Sequence, residues 1–195
     1  LTFKLFELAN RQAPIQALTA MALPRLRDLA AQALQSCHLS VYQGGRIVII
    51  AQVDSPERWS FGLKVGAVMG LTDTASGQVM LAFRDEAERE RMLAEHSRVE
   101  GELDVDRAQL AQTLDALRAR GFVCAPSGQT RGITNIAFPV FTGSGYAVAA
   151  VNVPMIERID QKVAPDLKAV QELAAQTAKD LSHALGGGAV AEAGD

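Results

Sequence analysis

The sequence predicts an α+β domain in which helices cover a central antiparallel sheet, and three observations carry that expectation. Two pairs of β-rich segments are joined by short glycine-bearing links: SVYQ to RIVIIAQV through Gly44-Gly45, and GITNIAFPVF to YAVAAVNV through TGSG. Links that short permit only antiparallel pairing. Around these pairs lie segments whose apolar residues recur at helical spacing. The 195 residues are 48% hydrophobic and 21% charged, the balance of an ordinary globular domain able to bury a full core.

The elements follow in order. Residues 1–19 place Leu5, Leu8 and Ala9 at helical spacing before Pro14 interrupts, and read as a linker helix. From Pro24, which suits a first helical turn, Leu26, Leu29, Ala30, Ala33 and Leu34 form an amphipathic stripe. The hairpin around Gly44-Gly45 comes next, then RWSFGLKV as a third strand. A helix opens near Thr74 in TASGQVMLA, where Thr74 or Asp73 can supply the capping oxygen. The charged run Arg84 to Arg91 is the solvated face of a second short helix. Residues 104–120 put Leu110, Ala111, Leu114 and Leu117 on one face, with Gly121 at the position of a left-handed cap. After the second strand pair, a last helix runs from Pro165 to about Leu185 on the stripe Leu167, Val170, Ala174, Thr177 and Leu181. The tail 187–195 has neither periodicity nor bulk and is expected to be disordered.

Composition excludes several classes. Nineteen Lys and Arg against 22 Asp and Glu give a net charge of -3, so no global field attracts nucleic acid or anionic lipid. Cys37 and Cys124 are too few for a disulfide framework and show no zinc spacing, which fits a reducing cytoplasm. No apolar run of about 18 residues would span a bilayer. The chain begins at Leu1 rather than Met, which suggests a piece of something longer. No catalytic set, metal or cofactor motif emerges. His38, His96 and His183 stand apart from any HxxxH or HExxH pattern and read as surface or helix-end residues. Cys124 follows a strand, where a buried inert thiol is the default. GAVMG, framed by Gly66 and Gly70, is no phosphate loop. An enzyme is not expected.

Polar residues in apolar strands are more telling. Alternation puts Asn135 on the face of Ile133, Ala137 and Pro139, and Asn152 on that of Ala150, Val148 and Tyr146. Buried amides without partners cost ~1–3 kcal/mol, so these groups either face water or line a small cavity. The opening of the Thr74 helix raises a matching choice. Ala75, Ser76 and Gly77 let an anion reach unpaired backbone N–H groups at the positive end of the helix dipole, or they serve a tight approach of helix to sheet.

VYQGGRIVIIAQV, LTDTASGQVMLAF, LAQTLDALRARGFVCA and GITNIAFPVFTGSGYAVAAVNVP, in this order and spacing, resemble the effector-binding domain of the IclR-type transcriptional regulators over residues 20–186. The resemblance implies a GAF-like fold, a curved antiparallel β-sheet flanked by α-helices, with a small-molecule pocket between sheet and helices. It also implies homodimers or homotetramers, and DNA binding only through a preceding winged helix-turn-helix domain absent from this chain. By position, Thr74, Ala75, Ser76, Gly77, Asn135 and Asn152 would contact the effector, with Trp59, Phe61 and Met69 as the wall. Thr72 stands where many members have histidine and Gln78 where they have lysine. CAPSGQTRG lacks the carboxylate common in members that bind small hydrophilic acids. The implied effector is a somewhat larger, aromatic organic acid with its carboxylate at Ala75 to Gly77, Arg131 being a weaker candidate partner. The rival readings are a GAF-type enzyme using Cys124 as nucleophile and a purely structural dimerisation module.

Overall fold

Gly44 and Gly45 take φ values of 55° and 79°, the paired left-handed conformations that a tight two-residue hairpin requires. They join β1 (Cys37–Gln43) to β2 (Arg46–Val53) in antiparallel register. A computed structural model describes residues 13–160 and 162–187 of the chain. In it a second hairpin, β5 (Ile133–Phe141) with β6 (Ala147–Ile156), lies against the first through β1, which pairs His38 with Asn152. Short outer strands β3 (Val68–Met69) and β4 (Val123–Pro126) complete a six-stranded antiparallel sheet ordered β3-β2-β1-β6-β5-β4, curled into a half-barrel. The expected α+β class and the expected strand pairs are both present.

The central strands are buried on both faces because helices cover both. On one side α1 (Ala13–Ala33) and α5 (Leu167–Ala184) enclose Leu26, Leu29, Leu39, Ile136, Val151 and Leu181. On the other, α2 (Ala75–Ala82) lies on β5 and β6, with α3 (Glu86–Ala94) and α4 (Arg107–Arg120) beyond it, around Ile47, Leu71, Met80, Leu81, Met92 and Leu114. Each fully buried side chain of that size contributes about 1.5–3 kcal/mol. Sandwiched in this way, α2 has no solvent face, which is why Val79, Met80 and Leu81 follow one another directly: all three are buried.

Helix ends follow their sequence signals. Asp85, Asp106 and Asp166 cap α3, α4 and α5 by accepting N–H groups of the first turn, and Gly121 closes α4 with φ 91°. The helix expected over 104–120 therefore starts at Arg107. Ala111 is exposed and off the buried stripe, and Leu167 at the start of α5 is 40% exposed.

Two expectations are corrected. Pro14, not Pro24, occupies the first turn of α1, where a missing N–H costs nothing, and Pro24 lies in its interior. The buried stripe Leu18, Ala22, Leu26, Leu29, Ala30 and Ala33 continues across Pro24, and its burial outweighs the ~3 kcal/mol of an interior proline. Pro24 faces outward, and beside the break the Arg25 guanidinium donates to the Met21 carbonyl at 2.9 Å. The expected linker helix thus merges with α1 from residue 13; residues 1–12 and the tail from 188 lie outside the described residues. RWSFGLKV is not a strand either. On its outer edge β2 pairs with Val68 and Met69 and exchanges backbone hydrogen bonds with Gly66 and Ala67 through Ile49, and further along the side chain of Gln52 stands in for backbone, accepting the Leu63 N–H at 3.3 Å. Residues 58–65 form a loop in which Phe61 and Leu63 are half-buried while Trp59 and Val65 are exposed.

That loop is fastened to the end of α1. Leu34 takes φ 54° there, a conformation that costs a branched residue about 1 kcal/mol. Its carbonyl accepts the Ser55 hydroxyl at 2.9 Å, while the Ser55 N–H donates to the Ser36 hydroxyl at 3.0 Å.

Gly77 sits where α2 crosses the preceding loop: a Cβ there would lie 2.0 Å from the Leu71 carbonyl oxygen. We expect Gly77→Ala to cost about 1–3 kcal/mol of stability, the range for overpacking a tight contact, measured by urea unfolding. An unchanged midpoint would show that the helix does not need this approach.

Candidate functional site

The start of α2 is built by Thr74. Its hydroxyl donates to the Gly70 carbonyl at 2.7 Å and accepts the Gly77 N–H at 3.1 Å, and its carbonyl accepts the Gln78 N–H at 2.9 Å. Thr74 rather than Asp73 is therefore the cap. The N–H groups of Ala75 and Ser76 have no acceptor among the described residues, and they carry the positive end of the helix dipole.

Against this end lies a cavity of about 100 Å³, roomy enough for several waters or a small polar molecule. His38 of β1, Ile133 and Asn135 of β5, and Asn152 and Pro154 of β6 supply the sheet side; Phe61, Leu63 and Met69 supply an apolar wall; residues 127–130 form part of the rim. Three residues of this lining each carry a buried side-chain polar atom without a hydrogen-bond partner, His38 Nδ1, Ser76 Oγ and Asn152 Oδ1; a fourth such atom, Asp73 Oδ1, lies on the side of Gly70 and Glu102. Each such atom costs ~1–3 kcal/mol when left unpaired.

The electrostatics are simple. Asn152, 5% exposed, donates through Nδ2 to Asn135 Oδ1 at 3.3 Å, so the two amides pair with each other inside the chain instead of facing water. Burial pushes the His38 imidazole down to about 4, which leaves it neutral at pH 7. Asp73 Oδ2 accepts the Leu103 N–H at 3.0 Å and the Gln129 side-chain N–H at 2.8 Å. The lining includes no Lys or Arg, and Asp73 is its charged side chain.

Of the residues expected at an effector site, Phe61, Met69, Thr74, Ala75, Ser76, Asn135 and Asn152 come together here. Trp59 does not. It is 49% exposed, with the guanidinium groups of Arg58 and Arg158 at 4.9 and 5.2 Å from its ring. Arg158 also pairs with Glu57 at 2.7 Å, so Trp59 belongs to a surface clamp between the 54–67 loop and the segment after β6. Gly77 lies a turn deeper, against Leu71. Arg131 is exposed and off the lining, and half-buried Cys124 packs toward the α1–α5 core instead. Cys37 is buried, donates to the Leu26 carbonyl at 3.2 Å and has its thiol pushed up to about 12 by burial, an inert group.

His38 and Asp73 were not anticipated. His38 is buried, contrary to the surface position expected from sequence. Its signal was the alternation of β1, which puts it on one face with fully buried Ser40, but that face can be placed only once β1 is known to pair with β6. Asp73 was legible only as a potential cap.

A helix-covered antiparallel sheet with a polar cavity at one helix start has the architecture of a small-molecule-binding domain. Among the described residues no three His, Cys, Asp or Glu gather in a metal-binding arrangement, and no helix is long and apolar enough to cross a membrane. The chain belongs to the IclR family: residues 13–183 match the family described as bacterial transcriptional regulator IclR C-terminal. It is 30% identical over 182 residues to the glycerol operon regulatory protein of Streptomyces griseus, covering 91% of this chain and 72% of that protein. It is also 30% identical to the HTH-type transcriptional regulator KdgR of Escherichia coli, over 90% of this chain and 70% of that one. In fold it is similar to an IclR homologue from Microbacterium hydrocarbonoxydans crystallised with 4-hydroxybenzoate, with a TM-score of 0.74 and 22% identity over 95% of this chain and 75% of that one. The protein is a regulator, not an enzyme, which removes the rival reading built on Cys124.

His38 generates a pH prediction. Its pKa falls from 6.5 in the unfolded chain to about 4 in the fold, so on acidification the unfolded state takes up the proton first. The stability held by neutral His38 is complete above about pH 6.5 and is lost as pH falls toward 4, about 3 kcal/mol in all at ~1.4 kcal/mol per unit. Urea unfolding at pH 7 and pH 4.5 should show that loss in the native sequence and a flatter dependence in His38→Gln; parallel curves would refute it.

Proposed function

We propose that residues 20–186 are the sensory unit of a transcriptional regulator and that the cavity at the start of α2 receives a small organic acid. The effector carboxylate rests on the N–H groups of Ala75 and Ser76, with Thr74, Asn135 and Asn152 beside it and Phe61 and Met69 against its apolar part. Aromatic acids are the first candidates. The complex of the Microbacterium homologue with 4-hydroxybenzoate supports testing them. One observation carries the reading: two residues with free amides, Ala75 and Ser76, border the same cavity as His38 and Asn152, which with Ser76 carry buried polar atoms without partners. A helix start with free N–H groups favours an anion by both hydrogen bonding and dipole.

In this reading residues 1–19 lead toward a DNA-binding domain that contacts the operator, the protein works as a homodimer or homotetramer in the cytoplasm, and the effector acts by binding one arrangement of the domain more tightly than another.

Titration calorimetry of the protein with 3- and 4-hydroxybenzoate and related acids should give saturable heat. Ser76→Trp, which fills the cavity beside α2, should abolish it while circular dichroism and thermal unfolding still report a folded domain. Undiminished binding in that variant would move the site away from the helix start.

A further inference from the structure

We propose that Gln52 sets the size of acid the cavity admits, by fixing how far its apolar wall stands from the sheet; the proposal rests on the organic-acid reading above. Phe61 and Leu63 line the cavity from a loop without a ladder of its own. Among the described residues, backbone bonds between this segment and the edge of β2 begin at Gly66 and Ala67 and continue at Val68 and Met69. At Leu63 a side chain takes their place. The Leu63 N–H donates to Gln52 Oε1 at 3.3 Å, while Gln52 Nε2 donates to Asp54 Oδ1 at 3.2 Å. With its amino group on the Asp54 carboxylate, the Gln52 amide turns its oxygen to the loop. Gly62, between the two wall residues, lets the chain rest directly on that amide: a Cβ there would lie 2.6 Å from Gln52 Nε2 and 2.7 Å from Asp54 Oδ1.

This arrangement keeps a gap where a strand would close it. Ladder partners stand about 4.7–4.9 Å apart, whereas a glutamine side chain set between edge and loop holds the loop off by its own length. The gap lies in line with the cavity. Gln52 pairs in register with His38, and His38 with Asn152, and residues directly opposite one another share a face of the sheet. The row that gives His38 and Asn152 to the cavity therefore ends in the residue that holds its wall. A wall fixed to a sheet edge resists an oversized guest, because overpacking forces neighbours out of place. A wall on a free loop yields to it.

Titration calorimetry of the protein with propionate, benzoate and 2-naphthoate grades the guest by size at constant charge. The native sequence should bind benzoate about tenfold more tightly than 2-naphthoate, which presses on the wall. Gln52→Ala should bring those two acids within about threefold of each other and leave propionate, too small to reach the wall, bound as before; a merely structural role would weaken propionate as well. Hydrogen exchange reads the same tether without a ligand: the Leu63 amide should exchange about tenfold faster in Gln52→Ala. Gln52→Glu combined with Asp54→Asn rebuilds both hydrogen bonds with the charge moved to the other partner and should restore the native ratio. Should Gln52→Ala not fold, Gly62→Ala, which displaces the amide from the loop side, and the double variant decide. An unchanged benzoate-to-naphthoate ratio, a loss shared by propionate, or a Leu63 amide that exchanges at the native rate overturns the proposal and leaves the organic-acid reading standing. If no acid binds the native protein, the organic-acid reading falls and this proposal with it.

Discussion

The close approach of α2 to the Leu71 carbonyl, which a glycine at position 77 permits, is the contact on which the rest of this structure depends. It lets α2 lie flat on β5 and β6 with apolar residues on every side, and it fixes where the first turn of the helix ends. That end abuts the sheet, so Ala75 and Ser76 border the same cavity as Asn135 and Asn152. Of the three residues that open the helix, Gly77 serves the close approach to the Leu71 carbonyl, and Ala75 and Ser76 border the cavity.

Polar groups left without partners are costly, and a fold tolerates a cluster of them only where the surroundings are stable without it. Here the surroundings are two well-filled apolar layers, one on each face of the sheet. The strands that carry His38, Asn135 and Asn152 are paired on both sides, so backbone register holds these side chains in place, with the Asn152–Asn135 hydrogen bond added to it. That rigidity is what a preorganised small-molecule site requires.

Much of this was legible in the sequence because it depends on local rules. The hairpin at Gly44-Gly45, the cap at Gly121, the pairing of GITNIAFPVF with YAVAAVNV and the polar anomalies at Asn135 and Asn152 are all matters of period and turn chemistry. What was not legible depends on partners distant along the chain. Pro24 reads as a helix start because local sterics favour it there, yet the buried stripe on both sides keeps the helix intact through it. RWSFGLKV has the composition of a strand, but Gln52 takes up backbone hydrogen bonding beside it and the backbone bonds to β2 begin only at Gly66. His38 looks like an isolated histidine until β1 is laid beside β6, and Trp59 looks like cavity wall until Arg58 and Arg158 draw it to the surface.

The small knot of Leu34, Ser36 and Ser55 ties the base of the long first helix to the loop that lends Phe61 and Leu63 to the hollow. Two parts lashed together at so short a span share their movements. Were a guest to draw the loop inward, the same three residues would pass the pull to the rod.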